Sequence, residues 1–203
     1  GTDDGLNRLR PGETTFEWIN ESTFPFISSS DVISLLPVEN TLWVGTYDGG
    51  LNQINIESGE TTIYAHSRLD KHSIGSNGIT SILYTRDKKL LVGTFGGGLS
   101  VLNQESGTFT NYVHDANDNS SISNDYVIAL FQDSFNLIWI GTERGLNLFD
   151  PESGKFKHFY ADSNNPKSVS SNMVWAFHED KQRRLWLGTS GGGLNRWDPE
   201  DRE

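Results

Sequence analysis

Three observations predict an all-β fold built from β-propeller blades. A hydrophobic run closed by Gly-Thr recurs at a nearly fixed step. Short apolar segments alternate with turn residues, and no convincing helical spacing appears. Glycine and aromatic residues are abundant, with 21 Gly, 6 Trp and 11 Phe in 203 residues, which argues against a disordered chain.

The recurring run reads Leu42-Trp43-Val44-Gly45-Thr46, Leu90-Leu91-Val92-Gly93-Thr94, Ile138-Trp139-Ile140-Gly141-Thr142 and Leu185-Trp186-Leu187-Gly188-Thr189, with Gly1-Thr2 as the tail of another. Gly-to-Gly steps are 44, 48, 48 and 47 residues. The third period shows what each unit contains. Val127–Phe131 is a continuous apolar run, as expected of a strand covered on both faces. Asp133–Asn136 carry turn chemistry, and Ile138–Thr142 form a second strand rich in β-branched and aromatic residues. Glu143-Arg144-Gly145 reverse the chain into Leu146–Phe149. Asp150–Gly154 turn it again, and Phe156–Tyr160 close the unit. Four antiparallel strands in a repeat of about 40–50 residues is the pattern of a propeller blade; a solenoid would have shorter repeats with fewer strands.

First strands carry Val32, Ile79, Val127 and Val174, followed two residues later by Ser34, Ser81, Ala129 and Ala176, small residues suited to a crowded centre. The predicted repeats span residues 1–30 (partial), 31–77, 78–125, 126–172 and 173–203 (partial), in one propeller portion over 1–203. Seventeen strands are expected, starting with third and fourth strands at Leu6–Leu9 and Thr15–Ile19 and ending with a third strand at Leu194–Trp197. Closed propellers have about 4–8 blades, so the chain reads as an arc of a larger ring. Open blade edges invite pairing, and self-association is expected, with end strands exchanged between copies.

Charge excludes some partners. Sixteen Lys+Arg against 27 Asp+Glu give −11, a sign that repels phosphate backbones and anionic membrane surfaces. Neither a span of about 18 apolar residues nor a signal-peptide pattern is present, so no membrane insertion is expected of this segment. Without cysteine there is no disulfide or thiolate metal site.

The stretch Asp162–Ser171 followed by Leu185-Trp186-Leu187-Gly188-Thr189-Ser190-Gly191-Gly192-Gly193-Leu194-Asn195-Arg196-Trp197-Asp198-Pro199-Glu200 resembles the two-component regulator propeller repeat. Leu42–Asn52, Leu90–Leu99 and Ile138–Pro151 resemble it nearly as well. The resemblance implies blades of a seven-bladed ring, in the periplasmic sensor region of a membrane-anchored receptor. The receptor's kinase or cyclase output would lie outside this chain. Two departures stand out. The turn after the first strand, usually Asp-x-x-Gly-Asn, is here Glu39-Asn40, Asp87-Lys88-Lys89, Phe135-Asn136 or Gln182-Arg183-Arg184. The first repeat has Phe24-Pro25-Phe26-Ile27 in place of a Ser/Asn-rich lead-in.

Chemistry-bearing motifs are few. The Gly-rich stretches 45–50, 93–98 and 188–193 run from strand to strand and lack the Lys-Ser/Thr of a phosphate loop, so they read as hairpin glycines. His66 and His114 hold equivalent places after fourth strands and read as loop residues; no zinc set converges on them. Asp115–Asn119 has the oxygen spacing of a calcium loop, but Ser120 and Tyr126 stand where Gly and Glu are needed. Asp150/Glu152 and Asp198/Glu200 recur in turns. No catalytic residue, metal site or cofactor is expected.

Binding residues should break the repeat. After each Gly-Thr stand Asp3, Tyr47, Phe95, Glu143 and Ser190, on the face where fourth-to-first and second-to-third connections gather. Tyr47 and Phe95 put aromatics on adjacent blades, and Trp175 replaces the Ile33, Thr80 and Ile128 of other first strands. These rings would suit stacking on a sugar, or else pack between blades. Arg144, Asp118, Tyr126, Asp70 and His72 are further candidates from that face. The sequence points to a non-catalytic sensor of an oligosaccharide or other small molecule. A dimerisation platform or a lyase working at the funnel are the alternatives.

Overall fold

Repeated alternation of short apolar segments and turns yields five antiparallel sheets in a computed structural model, which describes residues 1–20, 22 and 26–197. Phe24-Pro25 and Asp198-Pro199-Glu200 lie outside the described residues. The leading sheet pairs β1 (Leu6–Leu9) with β2 (Phe16–Ile19). Blade one comprises β3 (Val32–Val38), β4 (Thr41–Thr46), β5 (Leu51–Asn55) and β6 (Thr61–Tyr64) in that order. Blade two comprises β7 (Ile79–Tyr84), β8 (Leu90–Thr94), β9 (Leu99–Asn103) and β10 (Thr108–Tyr112); blade three comprises β11 (Val127–Gln132), β12 (Ile138–Thr142), β13 (Gly145–Asp150) and β14 (Lys155–Phe159). Blade four holds β15 (Val174–Glu179), β16 (Leu185–Thr189) and β17 (Gly193–Trp197). All 17 elements are strands. No helix among the described residues is long and apolar enough to cross a membrane.

Strand order within a blade follows chain order, and the first strands β3, β7, β11 and β15 lie side by side at the centre. The core consists of the layers between blades. One layer joins Trp43 and Leu51 of blade one to Ile79, Leu90, Val92, Leu102 and Phe109 of blade two. The next joins Leu91 and Leu99 to Val127, Ile138, Ile140, Phe149 and Phe156.

The Gly-Thr motif has two separate structural jobs. Its glycine lets the next blade approach. A Cβ at Gly45 would stand 2.5 Å from Ile79 Cγ2, one at Gly93 2.6 Å from Val127 Cγ1, and one at Gly141 2.5 Å from the Val174 carbonyl oxygen. Its threonine locks the following hairpin: Thr46, Thr94, Thr142 and Thr189 Oγ1 donate to the carbonyls of Gly50, Gly98, Gly145 and Gly193 at 2.8–3.0 Å. Those four glycines all have positive φ, which side chains with a Cβ adopt only at a cost.

The asparagine of Leu-Asn ties each blade to its own lead-in. Asn52 accepts from Ser28 N and donates to Ser28 Oγ, Asn147 does the same with Ser123, and Asn195 with Ser170. Blade two substitutes Ser100, whose hydroxyl accepts from Gly75 N.

Each first strand also carries a bulge. Val32 pairs with Thr46 but Ser34 with Gly45, and the same skip occurs at Ile79/Ser81, Val127/Ala129 and Val174/Ala176. Ile33, Thr80, Ile128 and Trp175 are the extra residues, which a bulge re-aims relative to the ladder. In the turns that follow, Glu39, Lys88, Asn136 and Arg183 all have positive φ, at the place where the repeat that the sequence resembles has glycine.

Candidate functional site

The residue after each Gly-Thr is pinned by its own backbone. Tyr47 N donates to Asp31 O, Phe95 N to Gly78 O, Glu143 N to Tyr126 O and Ser190 N to Met173 O. Each of these bonds joins a second-to-third hairpin to the residue just before a first strand. The two kinds of connection therefore meet at one end of the blades.

On that end the structure brings three sequence candidates together. Phe95 forms an isolated antiparallel bridge with Tyr126 across the blade two–blade three boundary. Their rings meet edge to face at 4.7 Å, and Tyr47 follows at 6.4 Å from Phe95. All three are exposed. They make an aromatic ridge over three adjacent blades. The rings touch each other across the blade boundaries and still face solvent. Close approach is permitted by Gly78, where a Cβ would lie 3.0 Å from Phe95 Cβ and 2.9 Å from Tyr47 O.

Arg144 sits in the β12–β13 hairpin of blade three, exposed, beside Glu143. Its amide donates to Thr142 Oγ1. Trp175 is at the same end on blade four, exposed at the bulge position. Neither touches the ridge rings.

Asp118 lies elsewhere, which corrects the sequence placement. The connection from β10 to β11 runs along the outer edge of blade three before returning to the centre. Ser120 O accepts from Phe156 N, and Ser121 O contacts His158 Nε2 at 2.7 Å. Because Asp150 pairs with Lys155 at the start of β14, Asp118 is near the rim end opposite the ridge. The hydroxyl and amide of Ser120 hold its carboxyl below the usual carboxylate range, helped by Lys155. Asp70 and His72 follow the same course one blade earlier, where His72 O accepts from Phe109 N.

The remaining polar motifs act within the fold. His66 Nδ1 contacts Ile74 O and His114 Nδ1 contacts Ile122 O, both at 2.8 Å, closing equivalent loops. Asp115 accepts from Asn117 and Asp118 from Ser120, the Asx turns of a structural loop. No group of three or more His, Cys, Asp or Glu among the described residues is arranged to hold a metal ion.

Sequence reasoning missed that Tyr126 is the third member of the ridge rather than a separate candidate. The signal was available: it immediately precedes a first strand, and Asp31, Gly78 and Met173 stand at the equivalent places.

Residues 121–144 and 168–191 match the family described as two component regulator propeller. Each begins in the lead-in serines and ends in the second-to-third hairpin, so the regulator repeat contains both sides of the backbone junction that carries the ridge. No curated protein sequence matches the chain significantly. Among solved structures, the chain is similar to the extracellular domain assigned to a one-component system of B. thetaiotaomicron, at 20% identity over 97% of this chain and 25% of that one, with a TM-score of 0.77. It is also similar to the extracellular domain assigned to a hybrid two-component system of the same organism, at 21% identity over 96% of this chain and 37% of that one, TM-score 0.53. A third likeness is the β-propeller domain of Myceliophteria thermophila Cps50 (Swd1), at 18% identity over 87% and 55% of the two chains, TM-score 0.59. The fold is that of β-propeller blades. The chain spans well under half the length of the two extracellular domains.

Proposed function

We propose that this chain is a non-catalytic recognition portion of a periplasmic sensor, which passes ligand occupancy to an output domain carried elsewhere in a membrane-anchored bacterial receptor. The regulator repeats and the likeness to extracellular domains of one-component and hybrid two-component systems support the sensor reading. The observation that carries the binding reading is the exposed ridge Tyr47–Phe95–Tyr126. Three rings in a row suit the apolar faces and hydroxyl rims of an oligosaccharide.

Occupancy acts on a receptor only by favouring one of two states. A ridge spanning three blades gives a ligand a hold on their relative positions, since each ring belongs to a different sheet.

Calorimetric titration of the chain with a panel of short neutral oligosaccharides tests the reading. At least one should bind, and Phe95→Ala, which removes an exposed ring, should weaken it about tenfold, the equivalent of ~1.4 kcal/mol for one ring contact. No binding across the panel, or equal binding by the variant, overturns it.

A further inference from the structure

The ridge end of blades one to three carries charge as well as rings. Tyr47 donates its amide to the carbonyl of Asp31 and is followed in its hairpin by the exposed Asp48. Asp125 stands directly before Tyr126, and its carbonyl accepts from the amides of Gly96 and Gly98 in the hairpin that holds Phe95. Glu143 donates its amide to the carbonyl of Tyr126. Backbone bonds therefore hold Asp31, Asp125 and Glu143 beside the rings.

The sign of this end is decided locally. In the three hairpins 47–50, 95–98 and 143–145 and the three junctions 29–31, 76–78 and 124–126, the charged residues are Asp31, Asp48, Asp125 and Glu143 against Arg144, a net −3. At the opposite end of the same blades, turns 39–40, 85–89 and 133–137 carry Glu39, Asp87 and Asp133 against Arg86, Lys88 and Lys89, a net of zero. None of the four acids at the ridge forms an ion pair among the described residues. Asp125 accepts from the neutral amide of His114 at 2.7 Å. The acids do not make a metal centre, since no three such groups among the described residues are arranged to hold an ion.

Two attractions thus act on the same kind of ligand group. A cation is drawn to the faces of exposed aromatic rings. Carboxylates without counter-charges draw it to the same surface, an attraction that salt screens. A hydroxyl gains from neither, and a carboxylate on the ligand meets repulsion.

We propose that the oligosaccharide this ridge selects is an amino sugar, its protonated amines held by the faces of Tyr47, Phe95 and Tyr126 and by the carboxylates of Asp48 and Glu143. The proposal rests on the reading of the ridge as a sugar-binding surface and adds the charge that the surface selects. The rings are the site; the acids set its preference.

Calorimetric titration with three β-1,4-linked tetrasaccharides tests it, at low salt and mildly acidic pH where free sugar amines are protonated. The tetramer of glucosamine carries an amine where that of glucose has a hydroxyl, and the tetramer of glucuronic acid carries a carboxylate. The glucosamine tetramer should bind about tenfold more tightly than the glucose tetramer, with the advantage shrinking as salt rises, and the glucuronic acid tetramer should bind most weakly. The double variant Asp48→Asn/Glu143→Gln, which leaves all three rings in place, should erase most of the difference between the amine and the hydroxyl. Phe95→Ala should weaken the glucosamine tetramer; equal binding there would mean that the amines follow the overall acidity of the chain, and overturns the proposal. A glucose tetramer that binds as tightly as the glucosamine tetramer, or an amine preference that survives the double variant, overturns the charge selection and leaves the sugar-binding ridge standing. A glucosamine tetramer that does not bind also overturns it, and silence from every neutral sugar as well would remove the sugar-binding reading beneath it.

Discussion

Blade three and blade four are nearly the same local object in two different surroundings. In each, the second-strand tryptophan donates its indole N–H to an aspartate six residues earlier, Trp139 to Asp133 and Trp186 to Asp180, both at 2.8 Å. In each, a threonine locks the hairpin and an asparagine grips the lead-in serine. The difference is cover. Trp139 is buried against Trp197 of blade four, with ring centroids 5.3 Å apart, while Trp186 is partly exposed with the Arg184 guanidinium 5.7 Å from its ring. Hydrogen bonding is therefore settled within a blade, and apolar burial is settled by the next one. Asp180 shows how complete the local part is. Desolvation raises its pKa, but Trp186, the Arg184 amide and guanidinium and the Gln182 amide together hold its carboxyl well below the usual carboxylate range.

The comparison can be broken by cutting the two tryptophans back. Trp139→Ala should cost about 3–5 kcal/mol in urea denaturation, as expected for a large buried side chain. Trp186→Ala should cost markedly less, because its ring is only half-buried among the described residues. Equal losses would mean that cover contributes little. A second pair probes close approach. Gly141→Ala forces a Cβ into the Val174 backbone and should destabilise by about 1–3 kcal/mol, whereas a Cβ at Gly188 would meet only Ala176, at 3.7 Å. Gly188→Ala should leave the thermal midpoint essentially unchanged. The smallest effect should ignore cover altogether. Lys88 and Arg183 sit in left-handed conformations, which cost a residue with a Cβ about 1–2 kcal/mol, partly offset by the extra chain entropy of glycine. Lys88→Gly and Arg183→Gly should each raise the midpoint by about 1–3 °C, to the same extent in blades two and four.

Much of this was legible because strands announce themselves. The Gly-Thr step fixes each second strand and its hairpin, and that is why Tyr47 and Phe95 could be placed on adjacent blades before any coordinates. What stayed hidden has physical reasons. The bulges at Ile33, Thr80, Ile128 and Trp175 come directly after the first residue of each strand, leaving too short a run before them for an extra residue to disturb a visible alternation. Asp118 went to the wrong place because its connection is long enough to detour along the rim, and Asx turns fix local shape without fixing where a loop travels. Tyr126 was recognised as a candidate, but a cross-blade backbone bridge leaves no trace in spacing.

The grip of Asn147 on Ser123, repeated by Asn195 on Ser170, bears on how such chains change length over evolution. Ser123 and Ser170 are 47 residues apart, and each serine belongs to the connection that introduces the blade gripping it. A recombination breakpoint at one serine and its counterpart would copy or delete a unit with its own asparagine still in hand. The heritable module is thus offset from the visible sheet, beginning in the linker, and whole modules can be gained or lost without orphaning a buried amide.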